Sequence, residues 1–214
     1  MHHLTSSSPE FSKEPSHARA SREQADKNRE AIEQASSRLF RERGLNGVSV
    51  AELMAGAGLT HGGFYGHFAS KDALAAQACR RAFEESTVRW ERRIDRAAGD
   101  RQAMLANLVG PYLTQAHCAN PGQGCAAVAL ASDVAREPAD KPIRLAYLDG
   151  IKAMVEDMET TVASDSAETR HSEALVRMAM LVGAVTLARA IEGDAMSDRI
   201  LNAVRDRLLG PSTG

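Results

Sequence analysis

The sequence has few aromatic residues and few cysteines, and each scarcity excludes a class of protein. Aromatic residues make up 4% of the chain, too little for a sheet-rich fold or for a cage of stacked rings around a cationic ligand. The three cysteines, Cys79, Cys118 and Cys125, are an odd number and too few for a disulfide framework. We therefore expect a protein of the reducing cytoplasm.

No stretch of the sequence is long and apolar enough to cross a membrane. The longest uncharged apolar run, residues 178–188, is well short of the roughly 20 residues that a bilayer requires. No secretory signal opens the chain, and we expect no membrane partner. A net charge of −2 excludes a globally basic nucleic-acid coat protein but allows a locally basic surface.

The sequence also lacks the motifs of the common enzyme classes. It has no phosphate-binding Walker loop, no dinucleotide fingerprint, no nucleophile elbow and no zinc-protease helix. His61 and His67 have no companions for a metal site. We expect no enzyme activity, no metal and no cofactor. A helical adaptor that binds another protein through residues 168–209 stays open as an alternative.

Helical signals occupy almost the whole chain. Residues 1–21 are polar, rich in Ser and Pro, and predicted to be a disordered tail. From Gln24 onward, apolar residues recur at helical spacing. Gly, Pro and Ser clusters separate the helices, and no strand pattern appears. We predict an all-α fold of about nine helices: 24–43, 50–57, 61–68, 71–98, 101–118, 125–136, 141–163, 168–192 and 197–209.

Two of the short predicted helices form a helix-turn-helix pattern. Ser49 and Glu52 have the spacing of a capping box, which predicts a helix start at Val50. A three-residue turn, Gly58 to Thr60, follows this helix, and Thr60 is expected to cap the next one.

The helix after that turn, residues 61–68, carries the functional signal. Phe64 and Phe68 lie on one side of a helical wheel, and three glycines (Gly62, Gly63 and Gly66) lie on the other. Each glycine costs a helix about 1 kcal/mol relative to alanine. A face without side chains helps when another surface must approach the backbone closely, as the DNA major groove does. The alternative is a glycine-rich loop held by two core phenylalanines.

The stretch from Asn28 to about Ala78 resembles the DNA-binding domain of TetR/AcrR-type transcriptional repressors. The resemblance covers about a quarter of the chain and is carried by these motifs: Leu39-Phe40, Arg43-Gly44, Ser49-Val50, Ala57-Gly58-Leu59-Thr60, and Phe64-Tyr65-x-His67-Phe68 with Lys71. After the tail predicted above (1–21), it implies a DNA-binding domain (22–70) and a ligand-binding and dimerisation domain (71–214). It also implies a homodimer through 168–192 and 197–209, whose small-molecule effector controls its binding to palindromic operator DNA.

The resemblance further implies which residues contact DNA. Thr60, His61 and Gly62 would approach bases. Tyr65, His67 and Lys71 would contact phosphates, as would the helix start at Ser49 and Val50. Gly63 is also a predicted DNA contact. His61 stands where Lys, Arg or Ser is common, and Gly63 and Gly66 replace residues that carry side chains. We therefore hypothesise that the protein recognises its site partly by groove shape and close backbone approach.

The second half of the chain gives weaker signals. An adaptable pocket is predicted from a Met-rich apolar set and its polar-tipped neighbours: Trp90, Met104, Leu108, Tyr112, His117, Met154 and Met158. The alternative for each of these residues is ordinary core. Cys118 and Cys125 flank a Pro-Gly loop and allow a thiol-responsive repressor as an alternative; inert, semi-buried cysteines are the simpler interpretation.

Overall fold

The computed structural model describes residues 14–210 and the side chains of residues 21–210. This part of the chain is helical throughout and contains no strand, as predicted. Its α-helices are α1 (Glu14–Arg43), α2 (Val50–Gly56), α3 (Lys71–Asp95), α4 (Arg101–Tyr112), α5 (Gln115–Ala119), α6 (Ala126–Arg136), α7 (Pro142–Glu159), α8 (Ala167–Ala190) and α9 (Ala195–Leu209). Two short 3-10 helices span His61–Gly66 and Pro121–Gln123.

Helix α1 begins earlier than its apolar periodicity indicates. It starts at Glu14 rather than near Gln24, so residues 14–21 of the predicted tail are helical. This stretch contains Glu, Ala and Arg, which favour helix without any apolar stripe. The rest of the predicted tail, with the His2-His3 pair, lies outside the described residues.

The carboxyl end of α1 is joined to α6. Gly44 follows the helix with φ +75°, the left-handed conformation expected of a glycine in this position. The next backbone N–H, that of Leu45, donates to the Asp133 carboxylate of α6 at 2.8 Å. Ile32 and Phe40 of α1 belong to one continuous hydrophobic core with residues of α3, α4, α6, α7 and α8. This core continues across the predicted domain boundary at residue 70.

The prediction of a single helix over 101–118 is wrong. Pro111 lies in the last turn of α4, where it removes a backbone donor. The helix ends at Tyr112, and Thr114 caps α5 by accepting from the His117 backbone N–H at 3.1 Å. The resulting corner brings the rings of Tyr112 and His117 to a centroid distance of 4.5 Å.

Helices α3 and α7 pack against each other through a glycine. A Cβ added at Gly150 would lie 2.2 Å from the Phe83 ring. The two helices therefore approach as closely as the bare backbone of α7 permits. Helix α3 leads directly from residues 61–68 into the second half of the chain, where it packs against α7.

Candidate nucleic-acid interface and adjoining cavity

The start of α2 has the predicted capping box. The Glu52 carboxylate accepts from the backbone N–H and the hydroxyl of Ser49, both at 2.8 Å, and the Ser49 hydroxyl accepts from the Glu52 N–H at 3.3 Å. Arg43 pairs with Glu52 at 2.9 Å. These bonds, first among them the one from the Ser49 backbone, lower the pKa of Glu52. Ser49 is exposed, but its N–H and its hydroxyl both donate to Glu52, so either group must give up that bond before it can contact a phosphate.

Residues 61–68, the recognition segment, form a tighter helix than predicted. His61–Gly66 is a 3-10 helix rather than an α-helix through Phe68. The three glycines explain the difference, because they penalise the α-helix and leave a short turn that tertiary packing can hold. Thr60 occupies the N-cap position without the predicted side-chain cap bond.

The two phenylalanines of the recognition segment pack into the protein, as predicted. Phe64 and Phe68 are buried, and their ring centroids lie 6.1 Å apart. On the other side, the three glycines are exposed. A Cβ added at Gly62 or Gly66 would have no described atom within 4 Å. The face is therefore bare and open to an incoming surface.

Three of the other predicted DNA contacts are exposed to solvent. Tyr65 is 76% exposed, and Thr60 and His61 are also exposed. At Gly63, an added Cβ would touch only the Met54 methyl, at 3.7 Å.

Three further predicted contacts are half-buried: His67, Lys71 and Val50. The Lys71 ammonium lies 6.0 Å from the Phe40 ring centroid, at the first turn of α3. Ser70 caps α3 by accepting from the Ala73 N–H at 3.1 Å.

Arg29 of α1 supports the recognition segment, a role that the sequence analysis missed. Its guanidinium lies 4.5 Å from the Phe68 ring centroid and donates to the His67 carbonyl oxygen at 2.8 Å. The bond satisfies a carbonyl at the end of the segment. Nothing in the local pattern around Arg29 distinguishes it from an ordinary exposed helix residue, because its partners are 38 positions or more away in the sequence.

A cavity of about 360 Å³ lies between α3 and the α4–α5 corner. Three of the predicted pocket residues line it: Trp90, Tyr112 and His117. The structure does not place the other four there. Leu108, Met154 and Met158 are fully buried in the core, and Met104 is half-buried away from the cavity lining. Apolar periodicity does not distinguish a cavity wall from a core contact, which explains the mixed outcome.

His117 holds the cavity together as a neutral ring. Its Nε2 accepts from the Cys125 backbone N–H at 3.1 Å, so Nδ1 carries the proton and donates to the Tyr112 carbonyl oxygen at 2.7 Å. Burial lowers the pKa of His117, and the hydrogen bond to the Tyr112 carbonyl raises it in part. Three nearby arginines also lower this pKa: Arg189, Arg89 and Arg93. His117 thus connects the α4–α5 corner to the loop that precedes α6.

The cysteines lie inside the protein as free thiols. Cys79, Cys118 and Cys125 are all buried and unpaired. Burial raises the pKa of Cys118, and it raises the pKa of Cys79 to about 12. Neither of these two thiols has the depressed pKa of a reactive cysteine. The thiol-responsive alternative stays a prediction without structural support.

Across residues 14–210, no helix has the length and apolarity to span a membrane. The same residues bring together no group of three or more His, Cys, Asp or Glu side chains that is suited to a metal ion.

The short helix α2, the turn after it and the recognition segment, with buried phenylalanines and exposed glycines, have the architecture of a helix-turn-helix of the kind found in DNA-binding regulators. Residues 32–78 match the family described as "Bacterial regulatory proteins, tetR family". Residues 32–78 are thus similar to the DNA-binding segment of TetR-family regulators, and the rest of the described chain is all-helical.

Solved structures of such regulators share the fold over most of this chain. A TetR-family regulator from Cytophaga hutchinsonii aligns with a TM-score of 0.72 at 20% identity, covering 89% of this chain and 98% of that one. A TetR-family regulator from Agrobacterium tumefaciens has a TM-score of 0.69 at 18% identity, with 86% and 98% covered. The reduced form of E. coli NemR has a TM-score of 0.68 at 20% identity, with 87% and 99% covered. No curated protein sequence matches.

Proposed function

We propose that the protein is a ligand-responsive repressor that binds palindromic operator DNA as a homodimer and is released by a small-molecule effector. Residues 22–70 bind DNA, and residues 71–214 bind the effector and the second copy. A DNA target and three free cysteines suit the cytoplasm.

The bare face of the recognition segment is the observation that carries this proposal. At Gly62 and Gly66 no side chain separates the backbone from the surroundings, so a neighbouring surface can contact the backbone directly. On the other side of the segment, the buried Phe64 packs into the protein. Exposed Tyr65, Thr60 and the half-buried Lys71 surround this face with groups that can donate to phosphates. A major groove is wide enough to accept such a segment.

An apolar stripe on α8 supports the homodimer. Leu175 is 46% and Leu187 is 57% exposed, and Ala179 and Gly183 lie between them at intervals of four residues. A Cβ added at Gly183 would meet no described atom within 4 Å. A row of exposed apolar and small residues at this spacing fits a second helix that approaches closely. One recognition segment alone binds weakly, and two copies on a palindrome provide two half-sites.

Helix α3 provides the route from effector to DNA. Its amino end follows the recognition segment after two residues, and its later turns contribute Trp90 and Arg93 to the cavity wall. A helix of 25 residues is about 37 Å long and moves as a rod. A ligand that favours a shifted position of α3 therefore changes the spacing of the two recognition segments.

A gel shift with the DNA upstream of the protein's own coding sequence tests the proposal. We expect a specific complex that survives a random-sequence competitor and weakens steeply as salt rises. Equal binding to the competitor would reject the specific operator. The absence of any complex at low salt would favour the adaptor alternative.

Sedimentation of two variants tests the dimer. Leu187→Lys places a charge in the α8 stripe and is expected to give monomers. Leu145→Lys, at an exposed leucine of α7, is the matched control and should stay dimeric. Dissociation of the α7 variant alone would locate the interface elsewhere.

A further inference from the structure

Two arginines of α3 face the cavity without a partner of opposite charge. Arg89 and Arg93 are four residues apart, so they lie on the same face of the helix, and both line the cavity. The Arg89 guanidinium donates to the Ser86 hydroxyl at 3.0 Å. Within residues 21–210, no carboxylate lies within ion-pair distance of either arginine. In contrast, Arg41 and Arg81 both pair with Glu85.

The two guanidinium groups repel each other in a partly desolvated place. Burial lowers the pKa of Arg93, and the neighbouring charges of Arg89 and Arg96 lower it further. Uncompensated cations of this kind are costly in a cleft, where the effective dielectric is lower than in water. An anion placed between them would remove that cost.

The aromatic part of the cavity lining is suited to an apolar body with one polar end. Trp90 and Tyr112 form an edge-to-face pair with ring centroids 6.1 Å apart. The Tyr112 hydroxyl is buried, and the group beside it is the Cys125 thiol, which is a weak hydrogen-bonding partner. A bound molecule that accepts the hydrogen of this hydroxyl would give it a stronger partner. His117 adds no charge, because its Nε2 accepts the Cys125 N–H and therefore carries no proton.

We propose that this cavity binds a small organic anion whose carboxylate or phosphate lies between Arg89 and Arg93, and whose ring-sized apolar body packs against Trp90 and Tyr112. The assignment gives the chemical class of the effector, and so it rests on the proposed function. At about 360 Å³ the cavity is near the lower end for small-molecule sites, which favours a compact ligand. The absence of a lining carboxylate argues against a cation.

The fluorescence of Trp90 reports binding directly, because it is the only tryptophan of the chain. The probes are benzoate, phenyl phosphate, and the matched neutral benzamide and cationic benzylamine. We expect saturable changes with at least one of the two anions, at least tenfold tighter than with benzamide, and none with benzylamine. Comparison of the two anions tells whether the site prefers a carboxylate or a phosphate. Equal affinity for benzamide, or no saturable binding of either anion, would overturn the proposal.

Two adjacent arginines provide a matched pair of variants. Arg93→Gln removes a lining charge, while Arg92→Gln removes an exposed charge one position away. The first is expected to weaken anion binding at least tenfold, and the second to leave it unchanged. Unchanged binding in Arg93→Gln would contradict the assignment. The comparison of anion with amide uses the unaltered protein, so a folding defect in either variant leaves that test intact.

The binding assay contains no DNA, which separates this proposal from the proposed function. Adding the bound anion to the gel shift then tests the effector role. If the anion binds but the DNA complex persists in its presence, the cavity is still an anion-binding site, but it is not the effector site. Failure to form any DNA complex would reject the repressor while leaving the fluorescence result to decide the site.

Discussion

The Arg41 guanidinium of α1 donates to the Gly124 carbonyl oxygen at 2.9 Å. This bond links the helix that supports the DNA-binding segment to the loop that borders the cavity, since Gly124 is itself a lining residue. The same guanidinium donates to the Ser37 carbonyl and pairs with Glu85 of α3, both at 3.0 Å. One buried side chain thus joins α1, α3 and the cavity loop.

We predict that Arg41→Met lowers the free energy of unfolding by about 2 kcal/mol, because buried carbonyls lose their donor and Glu85 loses one of its two cations. The matched control is Arg38→Met on the same helix, whose side chain is 47% exposed and paired only with Glu42. It should change stability by less than about 0.5 kcal/mol. Urea unfolding of both variants measures the difference. Equal losses of stability would show that the buried bonds of Arg41 contribute no more than the exposed ion pair of Arg38.

Gly150→Ala is predicted to lower stability by about 1–3 kcal/mol, since its Cβ would overlap the Phe83 ring and overpack the contact of α3 with α7. Gly110→Ala is the control, because a Cβ there would meet no described atom within 4 Å. It should be neutral or stabilise α4 by up to about 1 kcal/mol. Thermal unfolding compares the two. The double variant with Phe83→Leu should recover part of the loss, and no recovery would place the strain elsewhere.

Gly62→Leu is predicted to abolish operator binding without affecting the fold. The side chain would project from the bare face toward the groove, whereas no described atom lies within 4 Å of its Cβ inside the protein. A gel shift measures DNA binding, and a circular dichroism melt checks the fold. Full operator binding by a folded Gly62→Leu protein would rule out close backbone approach at this position.

Tyr65→Phe removes one exposed hydroxyl and is predicted to weaken binding to all sequences alike. Loss of a phosphate contact typically lowers affinity uniformly, because phosphates carry no sequence information. Binding isotherms against a set of single-base operator variants, repeated at several salt concentrations, test this. Relaxed preference at one base pair would mean that Tyr65 contacts a base instead.

Asp157 makes stability depend on pH near neutrality. Burial, followed by the charges of Glu91 and Glu156, raises its pKa from 3.8 to about 6. The folded state therefore favours the protonated carboxyl. The stabilisation from that proton is complete below pH 3.8 and is lost as the pH rises through about 6.

Asp157→Asn, which mimics the neutral form, should therefore stabilise the protein by about 1 kcal/mol above pH 7 and have little effect near pH 4. Asp149→Asn, at an exposed position of the same helix, is the control and should show no such dependence. Thermal melts between pH 4 and 8 provide the comparison. A gain that is constant over this range would exclude titration of Asp157 as its source.

The sequence correctly predicted those features that depend on residues close to each other along the chain. The Ser49–Glu52 box fixes the start of α2 with groups three residues apart, and Phe64 is buried because the segment has only one apolar side. The same local reasoning missed the 3-10 geometry of the recognition segment, since the glycine penalty had to be weighed against packing from α1. It also placed one helix across Pro111, where the corner depends on where α5 packs.

The cavity depended most on tertiary structure. On the sequence, Arg89 and Arg93 look like the solvated face of a long helix, and only the α4–α5 corner reveals that they border a cavity. Met154 and Met158 have the composition of an adaptable pocket, yet α7 buries them in the core. Periodicity identifies which side of a helix faces inward, but it does not indicate where that interior is left unfilled.

The sharing of α1 between the two halves limits how such a regulator can be re-engineered. The Leu45 backbone, just after α1, bonds to Asp133, and Arg41 of α1 bonds to Gly124. The first helix therefore makes several hydrogen bonds to the region beyond residue 70, directly or through the residues that follow it. A chimera joined at residues 70 and 71 would import a foreign α1 that lacks these partners. A graft that exchanges operator preference should instead replace only α2 and the recognition segment, leaving the native α1 and its anchors in place.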